Sequence, residues 1–163
     1  MIQYVTGDAT RPTGDGPKIL VHVCNDVGAW GRGFVVSLSK RWKEPERAFR
    51  RWAAGETSQP YALGEVQFVP VAADVTVANV IGQHDIARKN RPTDVPPVRY
   101  DAIRTGLARV RGEARRLGAS VHMPRIGAGV AGGEWAVIEP IIEAELATHG
   151  VTVTVYDLAA AAP

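Results

Sequence analysis

The sequence predicts an α/β fold in which helices cover both faces of a mixed, roughly six-stranded sheet. Apolar, β-branched runs alternate along the chain with segments of helical periodicity. Two of those runs pass directly through a glycine-rich turn into a helix. The length of 163 residues, with 45% hydrophobic and 22% charged residues, suits a single core. Ligands of such sheets bind at the carboxyl ends of the strands, so we expect the site there.

The first half of the chain reads as two strands, two short helices and two further strands. Residues 1–6 alternate apolar and polar side chains, and residues 18–24 form a β-branched run. Apolar residues from Phe34 to Trp42 recur at helical spacing, and Pro45 should end that helix and begin another. Strands are predicted next at residues 65–69 and 75–81.

The second half alternates helices with short strands. A polar loop over residues 83–97 should lead to a helix that begins at Pro96 and Pro97 and is capped by Gly118. A strand at 119–123, a helix at 134–148 and a final strand at 151–156 complete the order β-β-α-β-β-α-β-α-β. We expect one domain over residues 1–158 and a frayed tail over 159–163.

The bulk properties indicate a small intracellular module. Cys24 is the single cysteine and cannot form an internal disulfide, which indicates a reducing compartment. The sequence has no signal-peptide pattern and no apolar run long enough for a membrane helix, so we expect a cytoplasmic protein with no membrane partner. The net charge of +2 is too small to indicate nucleic-acid binding. No cofactor or metal is expected, and the oligomeric state is left open.

Two glycine-rich turns suggest a ligand with a central diphosphate. Residues 127–133, the second glycine loop, and residues 28–34, the first, each join a strand to a helix. Glycines let the backbone approach a ligand, and free N–H groups at a helix start attract phosphate. No Lys-Ser or Lys-Thr follows, which argues against a P-loop. A tight packing turn stays an alternative, as does a dinucleotide fingerprint with Asp157 as ribose ligand, although a second mononucleotide half is absent.

These motifs resemble the macrodomain family, in particular the branch that contains the terminal ADP-ribose protein glycohydrolase and the DNA ADP-ribosyl hydrolase antitoxins. The resemblance rests on residues 5–8, on residues 21–25 with 31–33, and on residues 123–129 with Trp135. It implies a three-layer α/β/α macrodomain. It also implies ADP-ribose as ligand, and ADP-ribosylated protein or ADP-ribosylated DNA as target.

The resemblance also implies roles for individual residues. Asp8 would accept the adenine amino group, 31–34 would surround the distal ribose, and 126–130 would bind the diphosphate through backbone N–H groups. Alternatives remain for three residues: Asp8 could cap a turn, Asn25 could form an Asx-turn, and Tyr156 could be a core aromatic. The complete set of expected ligand contacts is Asp8, Ala9, Asn25, Gly31, Arg32, Gly33, Phe34, Arg125, Ile126, Gly127, Ala128, Gly129, Val130, Ala131 and Tyr156.

The expected enzymatic activity is ADP-ribosyl hydrolysis at the distal anomeric carbon. Hydrolases of the glycohydrolase branch use a lysine and an aspartate at the positions of Gln83 and Ala131, and neither replacement can perform that chemistry. A different mechanism would orient or activate water with Asn25, Asp26 and Gln83. His84 and Asp85 are further candidate catalytic residues, although they could instead form a solvated pair at the end of the strand. Lys89 could supply a nucleophile only if this loop were aligned with the family in a different register. The alternative function is a reader that binds ADP-ribose without cleaving it.

The acceptor attached to ADP-ribose is left open by the sequence. Cations from Lys40 to Arg51 lie among Trp42, Phe49 and Trp52 and could follow a phosphate backbone. The simpler interpretation makes the aromatic residues a buried stripe and the cations its solvated side. Residues 88–91 add positive charge on another loop.

Overall fold

A computed structural model describes residues 1–87 and 95–159 of the chain. Six strands form one sheet: β1 (Ile2–Thr6), β2 (Lys18–Asn25), β3 (Val66–Ala72), β4 (Val75–Gln83), β5 (Ser120–Met123) and β6 (Val153–Asp157). Their order across the sheet is β1-β6-β5-β2-β4-β3. All neighbours pair in parallel except β3, which runs antiparallel to β4 at the edge, so the sheet is mixed as predicted.

Four helices cover the two faces of this sheet: α1 (Phe34–Arg41), α2 (Glu44–Ala53), α3 (Tyr100–Leu117) and α4 (Trp135–Glu145). Successive side chains of a strand point to opposite faces, and β2 therefore supplies both cores. Leu20 packs in one core with Leu38 of α1 and Trp52 of α2, whereas Val21 packs in the other core with residues of α3 and α4. The predicted three-layer α/β/α architecture is confirmed.

A crevice lies between the carboxyl ends of β5 and β2, because the chain leaves these two strands towards opposite faces of the sheet. These strands are neighbours, but β2 leads into α1 on one face and β5 leads towards α4 on the other. The connections therefore diverge at the carboxyl ends of the two strands. This is the switch point at which open α/β sheets bind their ligands.

Some element boundaries differ from the predicted ones. Helix α3 begins at Tyr100 because the preceding residues are tied to the end of β4: His84 N–H donates to Pro97 O at 2.8 Å, and Val98 bridges to Gln83. Helix α4 ends at Glu145 and is followed by a 3₁₀ turn, Ala147–His149. The Gly118 cap is confirmed by its left-handed φ of 65°.

Pro45 separates two helices as predicted, because α1 ends at Arg41 and Pro45 lies in the first turn of α2. No helix in the described part of the chain is long and apolar enough to cross a membrane. The predicted basic stretch 88–91, with Lys89, and the tail beyond residue 159 lie outside the described residues.

Candidate functional site

Three cavities lie near the carboxyl ends of the strands. The Trp30 cavity, about 310 Å³, is lined by Asn25, Trp30, Gly31 and Gln83 among others. The central cavity, about 120 Å³, lies between the two glycine loops and shares five residues with the first: Val23, Arg32, Val35, Gln83 and Val130. The Asp8 cavity, about 260 Å³, is bounded by the start of the β1–β2 loop and by α1.

Asn25 holds the backbone leading into the first glycine loop in place. Its Oδ1 accepts hydrogen bonds from Val27 N–H at 3.1 Å and Ala29 N–H at 2.9 Å, and its Nδ2 donates to Ala29 O at 2.7 Å. The Tyr61 hydroxyl donates to Asn25 O at 2.7 Å and accepts from Gly28 N–H at 2.9 Å. The amide therefore forms the Asx-turn that the sequence left as an alternative to ribose binding.

The second glycine loop is closed by its own backbone. Gly133 N–H donates to Gly127 O at 2.7 Å, and Gly132 N–H donates to Gly129 O at 3.0 Å. Gly127 has a left-handed φ of 70°, and a β-carbon there would lie 3.1 Å from Ile138 Cδ1. These glycines are needed for the conformation and packing of the loop itself.

Gly31 and Gly129 differ from the glycines that pack against protein. Neither has a positive φ, and a β-carbon built on either meets no atom of residues 1–87 and 95–159 within 4 Å. Gly31 lines the Trp30 cavity and Gly129 lines the central cavity. The packing of the protein therefore does not require glycine at these positions, but the close approach of a ligand would.

Backbone donors are available on both sides of the central cavity. Among the described residues, no group accepts a hydrogen bond from the backbone N–H of Gly33 or Phe34 in the first glycine loop, or of Gly129 or Val130 in the second. Gly33 and Phe34 stand at the start of α1. Such free donors at a helix start favour an anionic group.

Gln83 lies where the two loops meet. Its side chain is 6% exposed and lines both the Trp30 and central cavities. A register shift in β2 pairs it with Asn25, and an isolated bridge joins it to Val98. Its Nε2 donates to Asp85 O at 2.9 Å, and within residues 1–87 and 95–159 nothing donates to its Oε1. This oxygen can accept a hydrogen bond from a ligand or a water.

Asp26 points its carboxylate towards the end of β4. Its Oδ2 lies 2.7 Å from His84 Nδ1, and its Oδ1 accepts from Asp85 N–H at 2.8 Å. Neither Asp26 nor the exposed His84 lines the three cavities. His84 is therefore exposed at the end of the strand, but its side chain pairs with Asp26 and not with Asp85, the partner considered from the sequence.

Asp8 lies at the surface, whereas Tyr156 is buried. Asp8 is exposed in its cavity, and its Oδ1 accepts from Thr10 N–H at 2.9 Å and Thr10 Oγ1 at 2.7 Å, so it does cap a turn. Tyr156 is 4% exposed and its hydroxyl lies 2.7 Å from His122 Nδ1. A β-carbon on Gly7 would lie 3.6 Å from the Tyr156 ring, which therefore packs beneath the Asp8 turn as a core aromatic.

The other predicted contacts divide between cavity and core. Phe34, Ile126, Gly127 and Ala131 line the central cavity, together with Arg125. The Arg125 guanidinium donates to both carboxylate oxygens of Asp157, at 2.7 and 3.0 Å, which raises the pKa of Arg125. Ala9 and Ala128 pack with the two hydrophobic cores.

The role of His22 was not predicted, although the residue belongs to a motif that carried the resemblance. It lines the central cavity, and its Nε2 lies 2.5 Å from Asn79 Oδ1. Asn79 Nδ2 donates to Pro45 O at 3.2 Å, and because a carbonyl oxygen can only accept, Asn79 Oδ1 faces His22 and the His22 proton is assigned to Nε2. Burial lowers the pKa of His22 to about 4. The alternation of side chains along β2 could have indicated the face of the sheet on which His22 lies, but not that its hydrogen-bond partner is Asn79.

The described residues contain no cluster of His, Cys, Asp or Glu that could hold a metal ion. Cys24 lines the Trp30 cavity as a free thiol, and burial raises its pKa.

Solved structures with high sequence identity share the fold over nearly the whole chain. A macrodomain protein from Streptomyces coelicolor is 50% identical, with a TM-score of 0.83 over 96% of this chain and 99% of that one. A protein of unknown function from Bacteroides thetaiotaomicron is 51% identical, with a TM-score of 0.91 over 97% and 98% of the two chains.

More distant or longer proteins are also similar. The chromodomain-helicase-DNA-binding protein 1-like of Mus musculus is 32% identical over 95% of this chain, and the chain spans 17% of that protein. The Thermosipho africanus DarTG in complex with ADP-ribose shares the fold at 18% identity, with a TM-score of 0.65 over 89% of this chain and 39% of that one. No family model matches the sequence.

Proposed function

This chain belongs to the macrodomain family, and we propose that residues 1–158 bind ADP-ribose and hydrolyse its linkage to a protein or DNA acceptor. ADP-ribose consists of adenosine and a distal ribose joined by a diphosphate. Its central charge suits the anion donors of the central cavity, and the Trp30 and Asp8 cavities are available for its two ends.

The observation that carries this proposal is the pair Gly31 and Gly129. Both leave space that no atom of the described residues fills, and both belong to loops in which some backbone N–H groups, those of Gly33, Phe34, Gly129 and Val130, have no acceptor among these residues. A diphosphate in the central cavity would accept from these donors, and Arg32 and Arg125 in the cavity lining would add positive charge beside it. The DarTG structure, which has the same fold, is one that contains ADP-ribose.

The cavities on either side suggest where the two ends of the ligand would bind. The adenine amino group would donate to Asp8, whose Oδ1 is fixed by Thr10 and whose Oδ2 accepts no hydrogen bond from the described residues. The distal ribose would enter the Trp30 cavity beside Gln83. Tyr156 and Asn25 support the turns that receive these groups.

Isothermal titration calorimetry tests the binding step. We expect ADP-ribose to bind with one site per chain and adenosine monophosphate, which lacks the second phosphate and the distal ribose, to bind more weakly. Failure of ADP-ribose to bind at concentrations up to several millimolar would remove the proposed function altogether.

The hydrolytic step is assigned to water oriented by Gln83. The water oxygen bonds to the anomeric carbon, and the acceptor departs with the electron pair of the broken bond. The water proton passes to the departing group, with the ligand diphosphate as the adjacent base. Asn25 and Asp26 act as positioning residues, because both side chains are already bonded to the loops around the cavity. Positioning and fixed dipoles, without a strong base, predict a slow rate.

A product assay separates hydrolase from reader. The protein is incubated with ADP-ribosyl-glutamate protein and with ADP-ribosylated DNA, and released ADP-ribose is measured by mass spectrometry. Release from either substrate supports the hydrolase and identifies the acceptor. Tight binding without release from both would make the protein a reader, which the replacements at Gln83 and Ala131 favour. A cytoplasmic location completes the proposal and is tested by cell fractionation.

A further inference from the structure

Some cationic side chains of this protein form salt bridges with carboxylates, and others do not. Arg104, Arg109, Arg111 and Arg116 on α3 each pair with a glutamate, and Lys18 and Arg125 pair with aspartates. By contrast, several cations form no salt bridge within residues 1–87 and 95–159, among them Arg11, Lys40, Arg41, Lys43 and Arg47.

Three of these unpaired cations converge on one cavity. Arg11 from the β1–β2 loop and Lys40 and Arg41 from α1 line the Asp8 cavity, together with the hydroxyl side chains of Thr10 and Ser37. The cavity has a volume of about 260 Å³. Asp8 is the one carboxylate among the described residues of this lining, and these residues together carry a formal charge of +2.

Arg41 is held in position before any ligand arrives. Its Nε donates to Thr10 O at 3.3 Å, and its guanidinium carbon lies 5.0 Å from the centre of the Trp42 ring. These contacts leave guanidinium N–H groups available for an anion. A preorganised arginine loses less conformational freedom on binding than a free one.

The position of Lys40 and Arg41 in the last turn of α1 has a simpler explanation, because cations there complement the helix dipole. That explanation does not extend to Arg11, which lies outside any helix yet borders the same cavity. Convergence from two separate segments is typical of a binding site for an anion.

We infer that the Asp8 cavity, through Arg11, Lys40 and Arg41, binds an additional phosphate group carried on the adenosine half of the ligand. This inference rests on the proposed placement of adenine at Asp8. The phosphate could be a monoester on an adenosine ribose hydroxyl, or it could belong to the diphosphate of a second ADP-ribose unit joined to that ribose. Either ligand presents the same chemistry to these side chains.

Calorimetry with three ligands tests the inference. The ligands are ADP-ribose, ADP-ribose with a phosphate monoester on the adenosine 2′ hydroxyl, and an oligomer of two ADP-ribose units. We expect at least one phosphorylated ligand to bind roughly fivefold to tenfold more tightly than ADP-ribose at low ionic strength. The advantage should shrink as salt is added, because the contacts are exposed. The ligand that gains affinity identifies the source of the phosphate.

The variants are compared through one ratio, the affinity for the phosphorylated ligand that binds more tightly divided by the affinity for ADP-ribose. The double variant Arg11→Gln with Lys40→Gln should bring the ratio close to one. Lys43→Gln with Arg47→Gln removes the same charge from neighbouring unpaired cations that do not line the cavity, and it should preserve the ratio. Circular dichroism and thermal unfolding verify that both double variants are folded.

Three outcomes overturn the inference. One is equal affinity for all three ligands in the unaltered protein, with ADP-ribose itself still bound. Another is an affinity ratio that falls equally in both double variants, which would indicate a general effect of charge. The third is competition by an unmodified single-stranded DNA that depends on the same side chains, which would make this surface a nucleic-acid face. Loss of ADP-ribose binding by the unaltered protein would instead refute the proposed function.

Discussion

Gly33 and Val130 meet across the central cavity, since a β-carbon built on Gly33 would lie 3.4 Å from Val130 Cγ2. The two glycine loops therefore touch, although they follow strands on opposite sides of the switch point. A ligand in the central cavity is held between two backbones, and the space beside Gly31 and Gly129 becomes part of its binding site.

Filling that space should block binding without unfolding the protein. For Gly31→Val and Gly129→Val we expect changes in unfolding free energy below about 0.5 kcal/mol, because a β-carbon at either position meets no atom of the described residues within 4 Å. The affinity for ADP-ribose should fall at least about tenfold. Urea unfolding and calorimetry measure the two effects. Retained affinity in both variants would show that the ligand does not approach these glycines.

Two glycines of α3 should respond to alanine in opposite directions. At Gly106 a β-carbon would lie 2.5 Å from Val80 Cγ1, so Gly106→Ala should destabilise the fold by about 1–3 kcal/mol. At Gly112 the space is open, so Gly112→Ala should stabilise it by about 0.5–1 kcal/mol through helix propensity. Urea denaturation compares the pair. Equal effects would contradict the packing of α3 on β4.

Asp8 should determine the preference for adenine. In Asp8→Asn the amide oxygen can keep the turn with Thr10, but the amide nitrogen would repel the adenine amino group. We expect roughly tenfold weaker binding of ADP-ribose. The hypoxanthine analogue, which has an oxygen in place of the amino group, should lose less or gain affinity. An unchanged preference between the two ligands would place adenine elsewhere.

Gln83 should affect hydrolysis more than binding. Gln83→Met keeps the length of the side chain but cannot orient water, and we expect kcat to fall roughly tenfold to a hundredfold with a smaller change in KM. His84→Ala is the matched control, because His84 follows Gln83 but lines none of the three cavities. A larger loss in the His84 variant would move the chemistry to the pair that it forms with Asp26.

Stability should decrease as the pH falls from about 6.5 towards 4. Burial lowers the pKa of His22 to about 4, and burial followed by the Lys18 charge lowers that of His122 to about 4. The unfolded histidines bind protons first, so each contributes stability that is complete above pH 6.5. The expected slope is about 1.4 kcal/mol per pH unit for each histidine. Urea unfolding across this range should show about half the slope in His22→Gln, and an unchanged slope would contradict the assignment.

Much of the fold follows from local pattern. The β-branched runs, the break at Pro45 and the cap at Gly118 depend on neighbours in sequence, and each was predicted within a few residues. Helix α3 begins later than predicted because Pro97 and Val98 are bonded to residues at the end of β4, a contact that no local rule contains.

The sequence by itself determined the two glycine loops, the elements around them and the missing lysine and aspartate at Gln83 and Ala131. Tertiary structure decided which polar groups remain available. Asn25 and Asp26 looked equivalent to Gln83 in sequence, but their polar atoms are bonded to nearby loops whereas Gln83 Oε1 faces no donor among the described residues. The Asn25 partners are its own neighbours in the Asx-turn, which local pattern allowed as an alternative. The Asp26 partners, His84 and Asp85, are distant in sequence and reach it only after β2 and β4 pair, so only the tertiary structure could decide that Asp26 is occupied.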